Sequence, residues 1–134
     1  MMASAQICLV NIVHNIISST GVNGMIFHIM FSVQGLMDRT GNLSTYFNYL
    51  QDPPLMGFDL RYRSNNGRVC VGSFFAPRFE IETFPDVQLF MPYASLDLVP
   101  SAIYNLMCQV IILDMSPSPN VLAASEWHPF TVVV

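Results

Sequence analysis

Histidine and cysteine are the residue types in this sequence best suited to metal binding or nucleophilic catalysis. They stand, in chain order, at Cys8, His14, His28, Cys70, Cys108 and His128. Zinc sites pair ligands at short spacings such as C-x-x-C or H-x-x-x-H, and the sequence contains neither. A reactive thiol needs an accessible, electropositive setting, whereas each cysteine here lies in an apolar run and is expected in the core. We therefore expect no catalytic residues, no metal site and no cofactor, and a chain that is not an enzyme.

Aspartates near turns offer oxygen ligands for a different metal, calcium. Those in or beside turn signals are Asp38, Asp52, Asp59 and Asp114. Calcium takes about six to eight oxygen ligands that usually cluster closely, while a lone turn aspartate commonly hydrogen-bonds its own backbone. The chain is also well supplied with aromatic residues, whose rings are large apolar platforms. A ligand-binding β-sandwich, for carbohydrate or Ca²⁺, is therefore the alternative to the structural role developed below.

Strands must position these side chains, because turn signals recur along the whole chain. Nine prolines and seven glycines leave little room for long helices. Alternation of apolar and polar residues predicts strands over 25–34 and 78–84. β-Branched, aromatic or continuous apolar composition predicts further strands over 43–50, 87–91, 103–113 and 127–134, with 103–113 apolar on both faces. Residues 7–17 form a strand or a short helix, and their isoleucines and valines favour the strand. The spacing of these strands predicts one all-β domain, a single antiparallel β-sandwich of about eight strands. The sandwich is expected over residues 24–134, and residues 1–23 form an N-terminal apolar arm or a first strand.

Asn66-Gly67 is the strongest local turn signal. Both residues tolerate the positive φ that the centre of a type I′ hairpin requires. A turn centred there predicts a hairpin over residues 58–74, in which Tyr62 faces Val71 and Arg63 faces Cys70. The hydrophobic pattern agrees with that register, because it puts the apolar side chains of both strands on one face.

Ionic side chains are scarce in this chain. It has no lysine, and against nine carboxylates its five cations are Arg39, Arg61, Arg63, Arg68 and Arg78. Only 10% of the residues are charged, compared with about a quarter in an ordinary soluble domain. The net charge of −4 argues against partners such as nucleic acid or acidic lipid.

Membrane and export signals are also missing from the sequence pattern. No apolar run is long and uninterrupted enough for a transmembrane segment. The N-terminal stretch lacks the positive charges that begin a signal peptide. A cytoplasmic location is the default expectation, and assembly outside the cell by another export route stays open.

A monomer with so few charges would be hard to keep in water. Hydrophobic residues make up 52% of the chain and the mean hydropathy is +0.45, while monomers rarely expose large contiguous apolar patches. We therefore expect a non-catalytic structural subunit that forms a homo-oligomer, filament or larger assembly through apolar surface and terminal strands. The candidate interface residues are Ile7, Leu9, Val10, Ile12, Val13, Ile16, Ile17, Phe130, Val132 and Val134.

Several short motifs in the middle of the chain form a recognisable set. They are the strand 25–33, Thr45-Tyr46-Phe47, Pro54-Leu55, Arg61-Tyr62-Arg63, Asn66-Gly67-Arg68-Val69, Val71-Gly72, Phe75, Pro77 and the block 86–98. Over residues 24–114 this set resembles an uncharacterised bacterial β-sandwich module, C2-like in outline, that is often attached to larger proteins. The resemblance implies a sandwich with an interaction role, and it supplies no established activity or catalytic residues.

Overall fold

The computed structural model describes residues 3–50, 53–57, 59–64, 66–99, 102–116 and 118–133. Within these ranges the chain forms eight β-strands and two short 3₁₀ turns, at Leu60–Tyr62 and Tyr93–Leu96. The strands are β1 (Ser4–Ile17), β2 (Asn23–Gln34), β3 (Gly41–Tyr49), β4 (Cys70–Phe75), β5 (Ile81–Pro92), β6 (Ile103–Asp114), β7 (Asn120–Ala124) and β8 (His128–Val133).

The strands form two antiparallel sheets that enclose one core. β1, β2 and β5 make a three-stranded sheet with β2 in the centre. β4, β3 and β6 follow one another in a five-stranded sheet, in which β7 and β8 both pair with β6. β7 pairs with the C-terminal end of β6 and β8 with its N-terminal end, so these two short strands share one edge. The predicted antiparallel β-sandwich is confirmed.

β2 shows why this sequence forms a strand that is buried on one face. Its alternate side chains Met25, Phe27, Ile29 and Phe31 are 0% exposed, and those between them stay partly exposed. Such a period of two is the geometry of a pleated strand. Phe27 meets Phe47 of β3 edge to face, with the ring centroids 5.9 Å apart. The core therefore lies between β2 and the inner face of the five-stranded sheet.

β1 keeps the same alternation only with the help of a bulge. Its register with β2 shifts between Ile7 and Leu9, which leaves Cys8 as an extra residue. Ile7 and Val10 both pack against the core, whereas Leu9 is 56% exposed. Since a bulge changes which side chains face inward, the bulge at Cys8 is the reason that Leu9 is exposed on the surface.

The predicted hairpin over residues 58–74 is wrong, and so is the register of its turn. Gly67 has a positive φ of 84°, but Arg63 pairs with Val69 rather than with Cys70 in an isolated bridge, and the Ser64 N–H donates to Arg68 O. The turn is therefore centred on Asn66 and not between Asn66 and Gly67. β4 pairs with β3 instead, and Leu60–Tyr62 is a 3₁₀ turn. The reason is that β3 offers β4 a continuous ladder of backbone hydrogen bonds. Residues 58 and 65 lie outside the described ranges.

The predicted break at Pro85-Asp86 is also wrong, because β5 continues through these residues as one strand. Val87 pairs with Ile29 and Phe84 pairs with Phe31, so two residues of β5 oppose one residue of β2. Proline is tolerated at a bulge or in an edge strand, where its missing N–H breaks no ladder. β5 is such an edge strand, and the proline marks a bulge in it.

Replacement of a core ring tests this assignment of faces. Phe47 is 0% exposed, so we expect Phe47→Ala to lower the free energy of unfolding by about 3–5 kcal/mol in urea titrations. Phe74→Ala is the matched control, because Phe74 is 68% exposed and its loss is expected to change stability by only about 0.5 kcal/mol. Equal losses for the two variants would contradict the described burial.

Candidate functional site

Both predicted contact segments lie on the same side of the sandwich. β1 is an edge strand of the three-stranded sheet, and β7 and β8 form an edge of the other sheet. A groove of about 520 Å³ runs between residues 5–10 of β1 and residues 123–126 with His128. A smaller groove of about 240 Å³ lies between His14 and residues 131–133. We call the surface formed by β1, β7 and β8 the terminal-strand side.

The predicted interface residues divide according to the way they face. Leu9 and Ile17 are exposed, at 56% and 62%. Val13 and Ile16 are half-buried. The other described members pack in or against the core of their own sandwich; they are Ile7, Val10, Ile12, Phe130 and Val132, the last 4% exposed. Val134 lies outside the described residues. Leu9 and Ile17 are therefore the members that offer most apolar surface to a partner.

Sequence reasoning missed three exposed apolar residues in β7, β8 and the connection between them. They are Val121, Trp127 and Val133, which are 58%, 38% and 77% exposed. The β-branched run at the end of the chain indicated a strand, but its composition is the same on both faces. Only the packing of Val132 into the core shows that Val133 faces outward.

His14 and Tyr93 hold β1 against the neighbouring elements. Tyr93 Oη lies 2.8 Å from His14 Nδ1 and accepts the Asn15 backbone N–H at 3.0 Å. The hydroxyl proton is then free to be donated to Nδ1, which suits a neutral imidazole. The imidazole also lies 5.6 Å from the Phe130 ring of β8, and burial lowers the pKa of His14. This contact joins the two sheets at the terminal-strand side.

The strand edges on this side lack the charges that usually protect exposed strands. β1, β7 and β8 contain no acidic or basic residue apart from histidine. Natural edge strands are commonly guarded by lysine, proline or bulges. β1 has register shifts between Ile7 and Leu9 and between Val13 and Ile16, and β8 contains Pro129. The stretch from Leu9 to Val13 therefore stays regular and unguarded.

The described ranges bring no three His, Cys, Asp or Glu side chains together as a metal site would require. Asp59 accepts hydrogen bonds from the side chain and the backbone N–H of Arg61, and these hold its pKa below the ordinary value. Asp114 pairs with an arginine of an adjoining loop. Asp38 stands in a turn with a φ of 61°, and Asp52 lies outside the described residues. Asp59 and Asp114 thus serve local structure.

The three cysteines are free thiols that differ in exposure. Cys108 lies in the core, and burial raises the pKa of its thiol to about 12. Burial also raises the pKa of Cys70. Cys8 is exposed at the β1 bulge, so the expectation that every cysteine is a core residue is wrong for this one. A bulge cannot be read from the apolar flanks alone.

Comparison with known proteins adds no relative: no protein-family model matches the sequence, and no curated protein matches it. The likeness to a C2-like module therefore rests on the motifs quoted above and stays a prediction. In the described part of the chain, none of the helical segments has the length and apolar character needed to cross a bilayer.

The burial of His14 predicts a dependence of stability on pH. Burial lowers the pKa of His14 in the folded protein, so its contribution to the free energy of unfolding is complete above about pH 6.5. This contribution is lost as the pH falls, because the unfolded chain then takes up a proton more readily than the folded site does. We expect His14→Gln to remove this part of the decline between about pH 7.5 and about pH 5.5 in urea titrations. His128→Gln, at the start of β8, is the control that keeps it. Identical profiles for wild type and His14→Gln would contradict the assignment.

Proposed function

We propose that this protein is a non-catalytic structural subunit that self-associates through its terminal-strand side. The observation that carries the proposal is the outer edge of β1. Among the described residues β1 pairs with β2 alone, and it carries no charged side chain that would repel another strand. Addition of a strand to such an edge supplies backbone hydrogen bonds, and burial of apolar surface contributes roughly 25 cal/mol per Å² before the cost of association.

A second copy of β1 is the partner strand that fits this edge. The regular stretch between the two register shifts is centred on Asn11. If two copies pair antiparallel about a two-fold axis at Asn11, Leu9 of each copy faces Val13 of the other and Val10 faces Ile12. The pattern is self-complementary, as a two-fold contact requires. Two three-stranded sheets would then become one continuous sheet of six strands.

The neighbouring strands β7 and β8 offer a second apolar surface, separate from the β1 edge. Exposed Val133 and Val121 lie along the adjoining edge of the other sheet. A closed two-fold dimer would use the β1 edge alone. A filament or larger assembly would need a second contact of this kind, for which the β7 and β8 edge offers apolar surface without ionic groups.

A point substitution tests the contact more sharply than deletion of β1, because Ile7, Val10 and Ile12 also pack on the core. Asn11→Asp would set two carboxylates opposite each other across the axis, and like charges directly opposite destabilise strand pairing. We expect the dissociation constant of the dimer to rise at least about tenfold, which is about 1.4 kcal/mol, in light scattering over a concentration series. Asn105→Asp adds the same charge on the outer face of β6 and is expected to have no effect. A wild type that stays monomeric at all concentrations would refute the proposal.

Cys8 provides an independent probe of the β1 edge. It is exposed and stands next to the proposed pairing stretch. We expect its reaction with a thiol reagent to slow as the protein concentration rises, since association covers the edge, and Cys108 to react only after unfolding. A Cys8 rate that does not change while light scattering shows an oligomer would place the contact on another surface.

A further inference from the structure

A groove of about 650 Å³ crosses the outer face of the five-stranded sheet. Backbone pairing brings side chains from distant parts of the sequence into rows across this face. The rows are Phe74–Asn42–Leu113–Val121, Gly72–Ser44–Ile111 and Cys70–Tyr46–Gln109. The volume lies within the range of small-molecule sites, about 300–1,000 Å³.

The middle row forms the floor of this groove. Gly72 pairs directly with Ser44, and a Cβ at Gly72 would lie 2.5 Å from Ser44 Oγ and 2.9 Å from the backbone oxygen of Leu43. Only glycine fits there. The larger side chains of Phe74 and Tyr46 stand on either side of this floor. The groove therefore runs from the Phe74 ring at one end to the Tyr46 ring, with Arg68 beside it, at the other.

Two arginines line the groove, and no acidic residue is among the described residues that line it. Arg63 is exposed, and its Nη1 makes one long hydrogen bond, 3.4 Å, to the backbone oxygen of Gly57. The Arg68 guanidinium lies 4.9 Å from the centre of the Tyr46 ring and donates to Asn48 Oδ1 at 2.9 Å. Neither arginine belongs to an ion pair within the described ranges.

The groove therefore keeps the positive charge of both arginines and some of their N–H donors, although the net charge of the protein is −4. Arg39 and Arg61, by contrast, are each neutralised by an aspartate. The Nε of Arg68 is a buried donor for which the described residues supply no acceptor. A ligand with a carboxylate would complement this charge, because arginine binds carboxylates through strong charge-assisted hydrogen bonds.

The remaining lining suits a sugar ring. Phe74 is 68% exposed and, with Ile111 and Leu113, presents an apolar surface. The amide oxygens of Asn42 and Asn66 each accept a serine hydroxyl, so it is their NH₂ groups that can donate to sugar hydroxyls. A neutral sugar would leave the arginines unused, and a simple inorganic anion would leave the exposed ring unused. We propose that this groove binds an acidic oligosaccharide, with one sugar ring over Phe74 and the carboxylate of another unit at Arg63 and Arg68, because the rows of Phe74 and Tyr46 are four residues apart along the strands.

The proposal is tested by calorimetry with a galacturonic acid trisaccharide, the same trisaccharide as its methyl ester, and inorganic sulfate. We expect the acid to bind at least about tenfold more tightly than the ester, and its affinity to fall as salt screens the arginines. Sulfate is expected to bind more weakly than the acid. Equal affinity of acid and ester, no binding of the acid, or sulfate binding as tightly as the acid would each overturn the proposal.

Matched variants locate the site on this groove. Arg63→Gln and Phe74→Ala replace exposed side chains and are each expected to weaken binding of the acid at least about fivefold. Arg78→Gln and Phe79→Ala make the same changes at exposed residues outside the groove and are expected to leave the affinity unchanged. Equal losses in both sets would overturn the assignment. Asn11→Asp should keep full binding, which separates this test from that of self-association.

Discussion

The packing of β2 against the five-stranded sheet is the interaction on which the rest of the structure depends. β2 is the central strand of its own sheet, and its inward side chains are fully buried. Phe31 stacks on Phe84 with centroids 4.9 Å apart and meets Phe75 at 5.0 Å, so one ring joins β2, β5 and β4. At the other end of the core, Phe47 meets Phe130 of β8 at 6.2 Å. Since these aromatic contacts occupy the inner faces, the strand edges and the outer faces are left for contacts with other molecules.

The outer faces of the sheets show which side chains contact water in a chain with only 10% charged residues. Amides and hydroxyls take the place of ions along the middle of each sheet, as in the pairing of Ser32 with Thr83 and of Asn105 with Thr131. The strand edges are left apolar, with Leu9 and Val133 as the clearest cases. The proposed self-association and the proposed saccharide site therefore use different parts of the surface, one a strand edge and the other a groove with two arginines on a sheet face.

The sequence predicts β2 well, because a strand buried on one face must alternate. It predicts β6 as a strand from its apolar run, but it does not show that only one face of β6 is buried. It does not predict partners: a turn forms at Gly67, but in a register shifted by one residue, and the strand after it pairs with β3. Pro85 marks a bulge where a turn was expected, and β7 follows a proline-rich turn signal without a strong alternation of its own. The candidate contact surface was predicted only as a segment, because the bulge at Cys8 decides that Leu9 faces outward. The groove could not be predicted, since its rows join residues far apart in the chain.

The separation between β3 and β6 has a consequence for how the chain reaches this structure. β1 and β2 are joined by a tight turn, in which the Ser18 N–H donates to Val22 O at 2.8 Å. β3 ends at Tyr49, whereas its central partner β6 begins only at Ile103. Contacts between such distant segments form slowly, because the intervening loop must close first. If the β1–β2 hairpin forms first, its apolar face stays exposed until β6 pairs with β3. We therefore expect the yield of refolding to fall as the protein concentration rises.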